Sequence, residues 1–150
     1  MKVYIKNQQR RIKVNQKKII NHLRRALHLL GLHKAEVSIL LVNDRKMKEL
    51  NLRYRGLDKT TDVLSFSQME NVTQCSALST QHSILGDIVI NLHKAKRQAV
   101  EHDLTFNEEL SWLLIHGILH LIGYDHKKGR YLKNKMERKE KELFDVINPP

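Results

Sequence analysis

The sequence has almost no cysteine and no long apolar run. Its one cysteine, Cys75, excludes an intramolecular disulfide and a metal site built from several thiolates. No stretch reaches the roughly 18 apolar residues that a bilayer-spanning helix needs, and the opening MKVYIKNQQR lacks the apolar segment of a signal peptide. We therefore expect a soluble, cytoplasmic protein without a membrane partner.

Negative charge is scarce in the first third of the chain. Lys and Arg number 27 against 16 Asp and Glu, and the formal net charge is +11. Residues 1–55 hold 15 basic and 3 acidic side chains, whereas residues 56–150 are close to neutral. A basic face of this size is typical of proteins that bind a polyanion. Because no lipid anchor or basic amphipathic membrane helix is evident, the charge favours nucleic acid, and we predict that the basic N-terminal face binds the substrate.

Internal repeats and linkers are also missing. With 150 residues and 41% hydrophobic residues, the chain is predicted to form one domain over residues 1–150. Alternating or continuous apolar runs predict four strands, and the second of these is apolar enough to be covered on both faces. The strands are KVYIKN (2–7), EVSILLVN (36–43), DVLSFS (62–67) and SILGDIVIN (83–91).

Helical periodicity and capping residues predict about five helices between and after these strands. They run from Asn15 to Gly31, from Asn43 or Asp44 towards residue 55, across 91–103, from the capping box at 105–108 to near Gly123, and across 131–147. A helix between the first two strands predicts parallel pairing, whereas a polar loop at 68–82 predicts an antiparallel pair. The expected fold is α+β, with a roughly four-stranded mixed sheet.

Three histidines in HGILHLIGYDH (116–126) have the spacing of a metal site. His116 and His120 lie four residues apart on one helix face, so their imidazoles can share one ion. Gly123 permits the turn that ends the helix, after which the chain can fold back to deliver His126. Three neutral ligands leave a coordination position at which a water can become hydroxide near neutral pH. The pattern predicts one catalytic zinc ion at the end of a helix.

Gly117 stands where a zinc protease has the glutamate that takes a proton from the attacking water. Glycine cannot perform that step. Phosphodiester cleavage asks instead for stabilisation of charge at phosphorus, which a metal ion and nearby cations supply. The missing glutamate and the basic first third of the chain therefore favour a nucleic-acid substrate over a peptide.

Other polar residues are predicted to have structural or surface positions. Asp125 could orient His126 or cap the turn after the helix, and the sequence favours neither. Asp62 and Asp87, beside apolar strands, are predicted to be structural hydrogen-bonding residues. The remaining histidines have no ligand spacing and are predicted to lie at the surface; they are His22, His28, His33, His82, His93 and His102.

Three segments together resemble the YbeY family of bacterial endoribonucleases, also described as rRNA maturation factors. They are HGILHLIGYDH (116–126), NLRYRGLDKTTDVLSF (51–66) and LGDIVI (85–90), in the family's order and separation. The resemblance runs roughly from residue 36 to the C-terminus. One departure is Ser67, where the family usually continues with proline, and it bears on the shape of the polar loop at 68–82.

The resemblance implies a single α+β domain with one zinc ion on His116, His120 and His126. It implies cleavage of single-stranded RNA during maturation of ribosomal RNA, notably of the small subunit, and in ribosome quality control. It also implies a catalytic role for Arg55, which falls at the family's functional arginine and whose planar guanidinium suits phosphate. The expected partners are RNA and the small ribosomal subunit, not DNA and not a membrane.

Two other functions remain open at this point. A metal-dependent protease or other hydrolase would fit the histidine spacing, although Gly117 opposes a protease. A non-catalytic ribosome-assembly factor would use zinc only to fix the histidine segment.

Overall fold

The computed structural model describes residues 1–69 and 83–150, which form four strands and five helices. In chain order these are β1 (Lys2–Asn7), α1 (Gln16–Leu29), β2 (Ala35–Val42), α2 (Asp44–Arg55), β3 (Val63–Ser67), β4 (Ser83–Asn91), α3 (Leu92–Glu101), α4 (Phe106–Leu121) and α5 (Arg130–Ile147). Most of the polar loop predicted at 68–82 lies outside the described residues. The predicted α+β class, with a four-stranded mixed sheet and five helices, is confirmed.

The sheet has the strand order β1-β2-β4-β3. Strand β2 pairs in parallel with both β1 and β4, and β3 pairs antiparallel with β4. Both pairings predicted from the connections are therefore correct. The order places β4 in the interior of the sheet beside β3, and both strands pack against the helix that carries His116 and His120.

Three predicted helix starts are present as capped N-termini. The side chains of Asn15 and Asn43 accept hydrogen bonds from the backbone N–H groups of Lys18 and Lys46, at 3.2 and 2.9 Å. Thr105 and Glu108 form the reciprocal bonds of a capping box at the start of α4. These local bonds fix where α1, α2 and α4 begin.

The main core lies on one face of the sheet and is formed with α1, α3, α4 and α5. Helix α4 is apolar almost all round its circumference and packs among these elements, so it is the most buried helix of the fold. Its buried side chains include Leu110, Leu113, Leu114, Ile118 and Leu119. Two histidines of the predicted metal site, His116 and His120, therefore lie on the most buried helix.

The opposite face of the sheet is covered only in part. Helix α2 packs there through a small cluster of Val42, Met47, Leu64 and Val89. Beyond that cluster the face opens into a cleft of about 710 Å³, which we call the sheet cleft; its lining includes Tyr4, Lys6, Ser38, Tyr54, Phe66 and Asp87. The prediction that β2 is covered on both faces is therefore wrong, because its residues alternate between buried and half-buried up to Leu40.

Within the described part of the chain, no helix combines the length and apolarity needed to cross a bilayer.

Candidate metal centre

Three imidazoles converge at the C-terminal end of α4. His116 and His120 project from the helix, and His126 reaches them from the segment that follows Gly123, whose φ of +103° is left-handed. The ring centroids are 4.5 Å apart for His116 and His120, and 5.4 and 5.1 Å from each of these to His126. One nitrogen from each ring lies within 4.8 Å of the other two. These three residues can hold a metal ion, as their spacing predicts.

The electrostatics of the three histidines suit the binding of a cation. Burial, followed by the neighbouring His116 and His126, lowers the pKa of His120 to about 4, so the ring is neutral at neutral pH. Its Nε2 lies 3.0 Å from Nε2 of His116. Nδ1 of His126 is buried and lacks a hydrogen-bond partner among residues 1–69 and 83–150. A buried polar atom without a partner is costly, and a metal ligated by these rings fits the donor set.

A carboxylate from α5 fixes one of the ligands. Oε1 of Glu140 lies 3.0 Å from Nδ1 of His116, and the Glu140 side chain is 7% exposed. A carboxylate at Nδ1 holds the proton there and leaves Nε2, which faces His120, as the ligand atom. The sequence did not indicate Glu140, which is one of several charged residues in the last predicted helix. The signal was its position, since Glu140 shares the buried stripe of Met136 and Leu143.

Arg55 lines the same cavity as the three histidines. A cavity of about 540 Å³, here called the histidine cavity, is lined by Arg55 together with His116, His120 and His126. Nη2 of Arg55 donates a hydrogen bond to the Ser65 backbone carbonyl at 3.0 Å. Its guanidinium carbon is 5.8 Å from the Phe66 ring centroid. Among residues 1–69 and 83–150, no carboxylate forms an ion pair with Arg55, although Asp62 and Asp125 line the same cavity.

The family model "Endoribonuclease YbeY" matches residues 4–148. The chain belongs to the YbeY family. Proteins named Endoribonuclease YbeY include one from Syntrophus aciditrophicus, 35% identical over 99% of this chain and 91% of its own length. The Aquifex aeolicus protein of that name is 41% identical over 90% of this chain and 83% of its own length. The name describes a hydrolase that cuts RNA internally.

A solved structure shows the same fold. The solution structure of TM1509 from Thermotoga maritima has a TM-score of 0.67 and 28% sequence identity. The similarity covers 97% of this chain and 88% of that one. The YbeY-family resemblance of the sequence motifs is thus matched over nearly the whole chain.

In this YbeY-family chain, two buried asparagines fix the turn between α2 and β3, which lines the histidine cavity. Nδ2 of Asn51 donates to the Lys59 carbonyl at 2.8 Å. Nδ2 of Asn91 donates to Thr60 Oγ1 at 2.9 Å and lies 3.2 Å from the Thr61 carbonyl. Both asparagines are almost fully buried, so the turn between α2 and β3 is fixed by buried hydrogen bonds.

The carboxylates near the histidines have structural roles. Oδ1 of Asp125 accepts the Lys127 backbone N–H at 2.8 Å, which is the main cause of the lowered pKa of Asp125. Of the two roles open to Asp125 in the sequence, capping the turn is the one observed. Oδ1 of Asp62 accepts the Val63 N–H at 2.8 Å, and Oδ2 of Asp87 accepts from Gln68 Nε2 at 3.2 Å. The structural assignments of Asp62 and Asp87 agree with these contacts.

The other histidines stand apart from the metal centre. His28, His33 and His102 are exposed, as predicted, whereas His22 and His93 are half-buried. His22 Nδ1 lies 2.8 Å from Ser111 Oγ, and burial lowers its pKa. His82 lies outside the described residues.

Gly117 has a packing reason that the sequence did not reveal. A Cβ at this position would lie 2.9 Å from Cγ2 and 3.0 Å from Cδ1 of Ile88 on β4. Residue 117 therefore points at the sheet, and α4 sits too close to β4 for a side chain there. A glutamate at 117 would have to displace Ile88 before it could act as a base. The close approach also brings Ser67 Oγ within 2.9 Å of the Leu121 carbonyl at the helix end.

Substitution of Glu140 by glutamine is expected to weaken metal binding by about tenfold to a hundredfold. Glutamine can still accept the His116 Nδ1 hydrogen bond but lacks the charge that makes the imidazole a better ligand. Competition against a chromogenic chelator measures the affinity. Glu137→Gln, on the exposed side of the same helix, is the control and should leave affinity unchanged. Equal affinities for the two variants would remove Glu140 from the metal site.

Substitution of Gly117 by alanine is expected to lower the free energy of unfolding by about 1 kcal/mol. Overpacking against Ile88 costs about 1–3 kcal/mol, and the better helix propensity of alanine returns about 1 kcal/mol. Urea unfolding measures the change. In an Ile88→Ala background the same substitution should instead be neutral or stabilising, because the contact is gone. A cost that persists in that background would contradict the close-approach explanation.

Proposed function

We propose that this chain is a zinc-dependent endoribonuclease that cuts single-stranded RNA during ribosomal RNA maturation. The observation that carries the proposal is the placement of Arg55 and the three histidines on one cavity, in a chain of the YbeY family. The curated relatives named above are endoribonucleases, which supports RNA as the substrate. Cleavage would be carried by one domain spanning residues 1–150.

The donor set supports zinc in particular. Three imidazoles suit a borderline-soft divalent ion better than magnesium or calcium, which prefer oxygen ligands. A divalent ion bound there supplies Lewis acidity and lowers the pKa of a water. His116, His120 and His126 would hold the ion, and Glu140 would keep the His116 ring in the ligating tautomer.

Arg55 would bind and neutralise the scissile phosphate. Its guanidinium is held by the Ser65 carbonyl and rests near the Phe66 ring, so it is oriented before substrate arrives. Charge that develops on phosphoryl oxygens is stabilised most by such fixed donors. The exposed basic residues of the first 55 positions would attract the strand and hold it beyond the cavity.

The packing of Gly117 argues against the protease alternative. Zinc proteases need a carboxylate base next to the first histidine, and here that position has no space for a side chain. The two carboxylates that line the histidine cavity, Asp62 and Asp125, each accept a backbone N–H. Both carboxylates thus make a structural contact, which supports a structural role over that of a base in peptide hydrolysis.

RNA cleavage by metal-loaded and chelator-treated protein tests the proposal. A labelled single-stranded RNA and the duplex of the same sequence serve as substrates, and zinc, manganese and magnesium are added back separately. We expect the single strand to be cut, the duplex to survive, and chelation to stop cleavage until zinc is restored. Unchanged cleavage after chelation would point to a contaminating nuclease and overturn the proposal. No cleavage by protein with a full metal complement would leave the assembly-factor alternative.

The role in ribosomal RNA maturation is tested with a natural substrate. We propose the cytoplasm as the location, the small ribosomal subunit as partner, and ribosome quality control as a second role. Precursor and mature small-subunit rRNA are compared as substrates, free and assembled with ribosomal proteins. Cleavage near a mature end of the precursor is the expected result. Indiscriminate cutting of both RNAs would contradict a maturation role while leaving the nuclease activity in place.

A further inference from the structure

The sheet cleft contains two exposed tyrosines, Tyr4 and Tyr54, that belong to neither core cluster. Only eight residues of the chain are Phe, Tyr or Trp, and three of them, Tyr4, Tyr54 and Phe66, line this cleft. Tyr4 is 50% exposed and Tyr54 is 58% exposed. Tyr54 meets the Phe66 ring edge to face, with centroids 5.3 Å apart. Aromatic rings displayed on an open sheet are a common platform for stacking nucleobases.

The sheet cleft and the histidine cavity are linked by the contact between Phe66 and Arg55. Phe66 lines the sheet cleft, and the Arg55 guanidinium that lies 5.8 Å from its ring lines the histidine cavity. Tyr54 precedes Arg55 at the end of α2, so one short segment supplies a ring to the cleft and a cation to the cavity. A strand with its phosphate at Arg55 would therefore have its neighbouring nucleotides over the sheet cleft.

Basic residues surround the other end of the sheet cleft. Gln8 belongs both to the sheet cleft and to a neighbouring cavity of about 470 Å³ lined by Arg10, Arg11 and Arg45. All three arginines are exposed, and none pairs with a carboxylate of the described residues. Lys6 stands on the sheet cleft itself. This charge favours a polyanionic occupant over an apolar segment of another protein.

The floor of the sheet cleft indicates how a strand would lie. Asp87 and Ser38 are neighbours across β2 and β4, and Asp87 accepts from Gln68 at 3.2 Å. A carboxylate repels phosphate but accepts hydrogen bonds from the exocyclic amines of bases. Bases would thus face the floor and the tyrosines, while phosphates would face the rim with Lys6 and the arginines.

We propose that the sheet cleft is a base-stacking subsite for single-stranded RNA, in which Tyr4 and Tyr54 stack on nucleotides that flank the phosphate held at Arg55. This inference rests on the proposed function, because it names how the same substrate strand is bound. In this arrangement the bases bind in the sheet cleft, and the phosphates contact the neighbouring arginines, Arg10, Arg11 and Arg45.

Binding of a fluorescent single-stranded RNA to the metal-loaded protein tests this subsite. The RNA is 2′-O-methylated, and its integrity is checked on a denaturing gel, so binding is read separately from cleavage. Tyr4→Ala and Tyr54→Ala are each expected to weaken binding about tenfold, as the loss of one stacked base does. Tyr54→Phe, which keeps the ring, should bind like the wild type. Tyr131→Ala removes a tyrosine that is 72% exposed on α5 and is the matched control.

An RNA with abasic sites gives an independent reading of stacking. Abasic substitution should weaken binding to the wild type but cause no further loss in the Tyr4→Ala, Tyr54→Ala double variant. Thermal unfolding of each variant should match the wild type, because both rings are exposed.

The possible outcomes separate this inference from the proposed function. If the wild type cleaves RNA and the tyrosine variants bind RNA as Tyr131→Ala does, the subsite is wrong and the nuclease stands. If RNA is bound through the tyrosines but never cut, the subsite stands and the nuclease is wrong. If the double variant binds RNA normally but shifts the sedimentation coefficient, the sheet cleft is an interface between copies of the chain, which also overturns the subsite.

Discussion

Replacing His120 with alanine is expected to abolish stoichiometric metal binding and to lower RNA cleavage by at least about a thousandfold. The ring of His120 faces His116 at 3.0 Å and is kept neutral by burial, so it is placed to share an ion. Two imidazoles remain in the variant, which is too few to hold zinc in a catalytic site. A metal contributes several kcal/mol of charge stabilisation, and each 1.4 kcal/mol or so changes a rate tenfold.

Metal content and cleavage are measured on the same His120→Ala preparation. Elemental analysis gives the metal per chain, and initial rates on single-stranded RNA give the activity. His28→Ala is the matched control, since His28 is exposed on α1 and distant in sequence from the metal centre. A His120→Ala protein that keeps a full metal complement would refute the three-histidine site. Full metal loss with undiminished cleavage would refute the catalytic role of the metal.

Replacing Arg55 is expected to lower cleavage by about a hundredfold to a thousandfold while leaving metal content unchanged. One fixed donor to a developing oxyanion is worth that much in other hydrolases. Lysine keeps the charge but has neither the planar fork nor the reach that fixes Arg55 on the Ser65 carbonyl, so Arg55→Lys should recover only a small part. Because no histidine contact depends on Arg55, the metal should stay bound.

The effect of Arg55→Ala should appear in kcat more than in KM, since the guanidinium acts on charge that grows during the reaction. Arg53→Ala is the control: it removes one charge from the same exposed last turn of α2. Added guanidinium ion should restore part of the Arg55→Ala activity and have no effect on Arg53→Ala. Equal losses of cleavage activity in the Arg53→Ala and Arg55→Ala variants would show that Arg55 acts only as part of the basic surface.

Much of the fold could be predicted because its signals are local. The caps at Asn15, Asn43 and Thr105 are satisfied by bonds that span three residues, and the apolar spacing of each helix reports which side is buried. Two of the three histidines proposed as metal ligands also lie on a single helix. Their convergence follows from helix geometry alone, and the third follows from the turn at Gly123.

The features that escaped prediction join elements distant in the chain. Glu140 reaches His116 across 24 residues, and Gly117 meets Ile88 on a strand that precedes it. The residue spacing within one segment does not indicate contacts between residues that are far apart in the sequence. The half-open sheet escaped for a similar reason: the apolar run of β2 resembles a doubly covered strand, and only the short reach of α2 leaves its outer face uncovered.

The attachment of Glu140 to His116 has a consequence for how the protein is made. Chains leave the ribosome N-terminus first. The arginines around the sheet cleft and Arg55 are translated early, whereas both ligands on α4, then His126 and finally Glu140 follow. A growing chain therefore contains the basic residues proposed to bind RNA well before the full set of histidines has been made. If the chain cuts RNA, the ribosome that synthesises it is exposed to a cleaving centre only after α5 has emerged and docked.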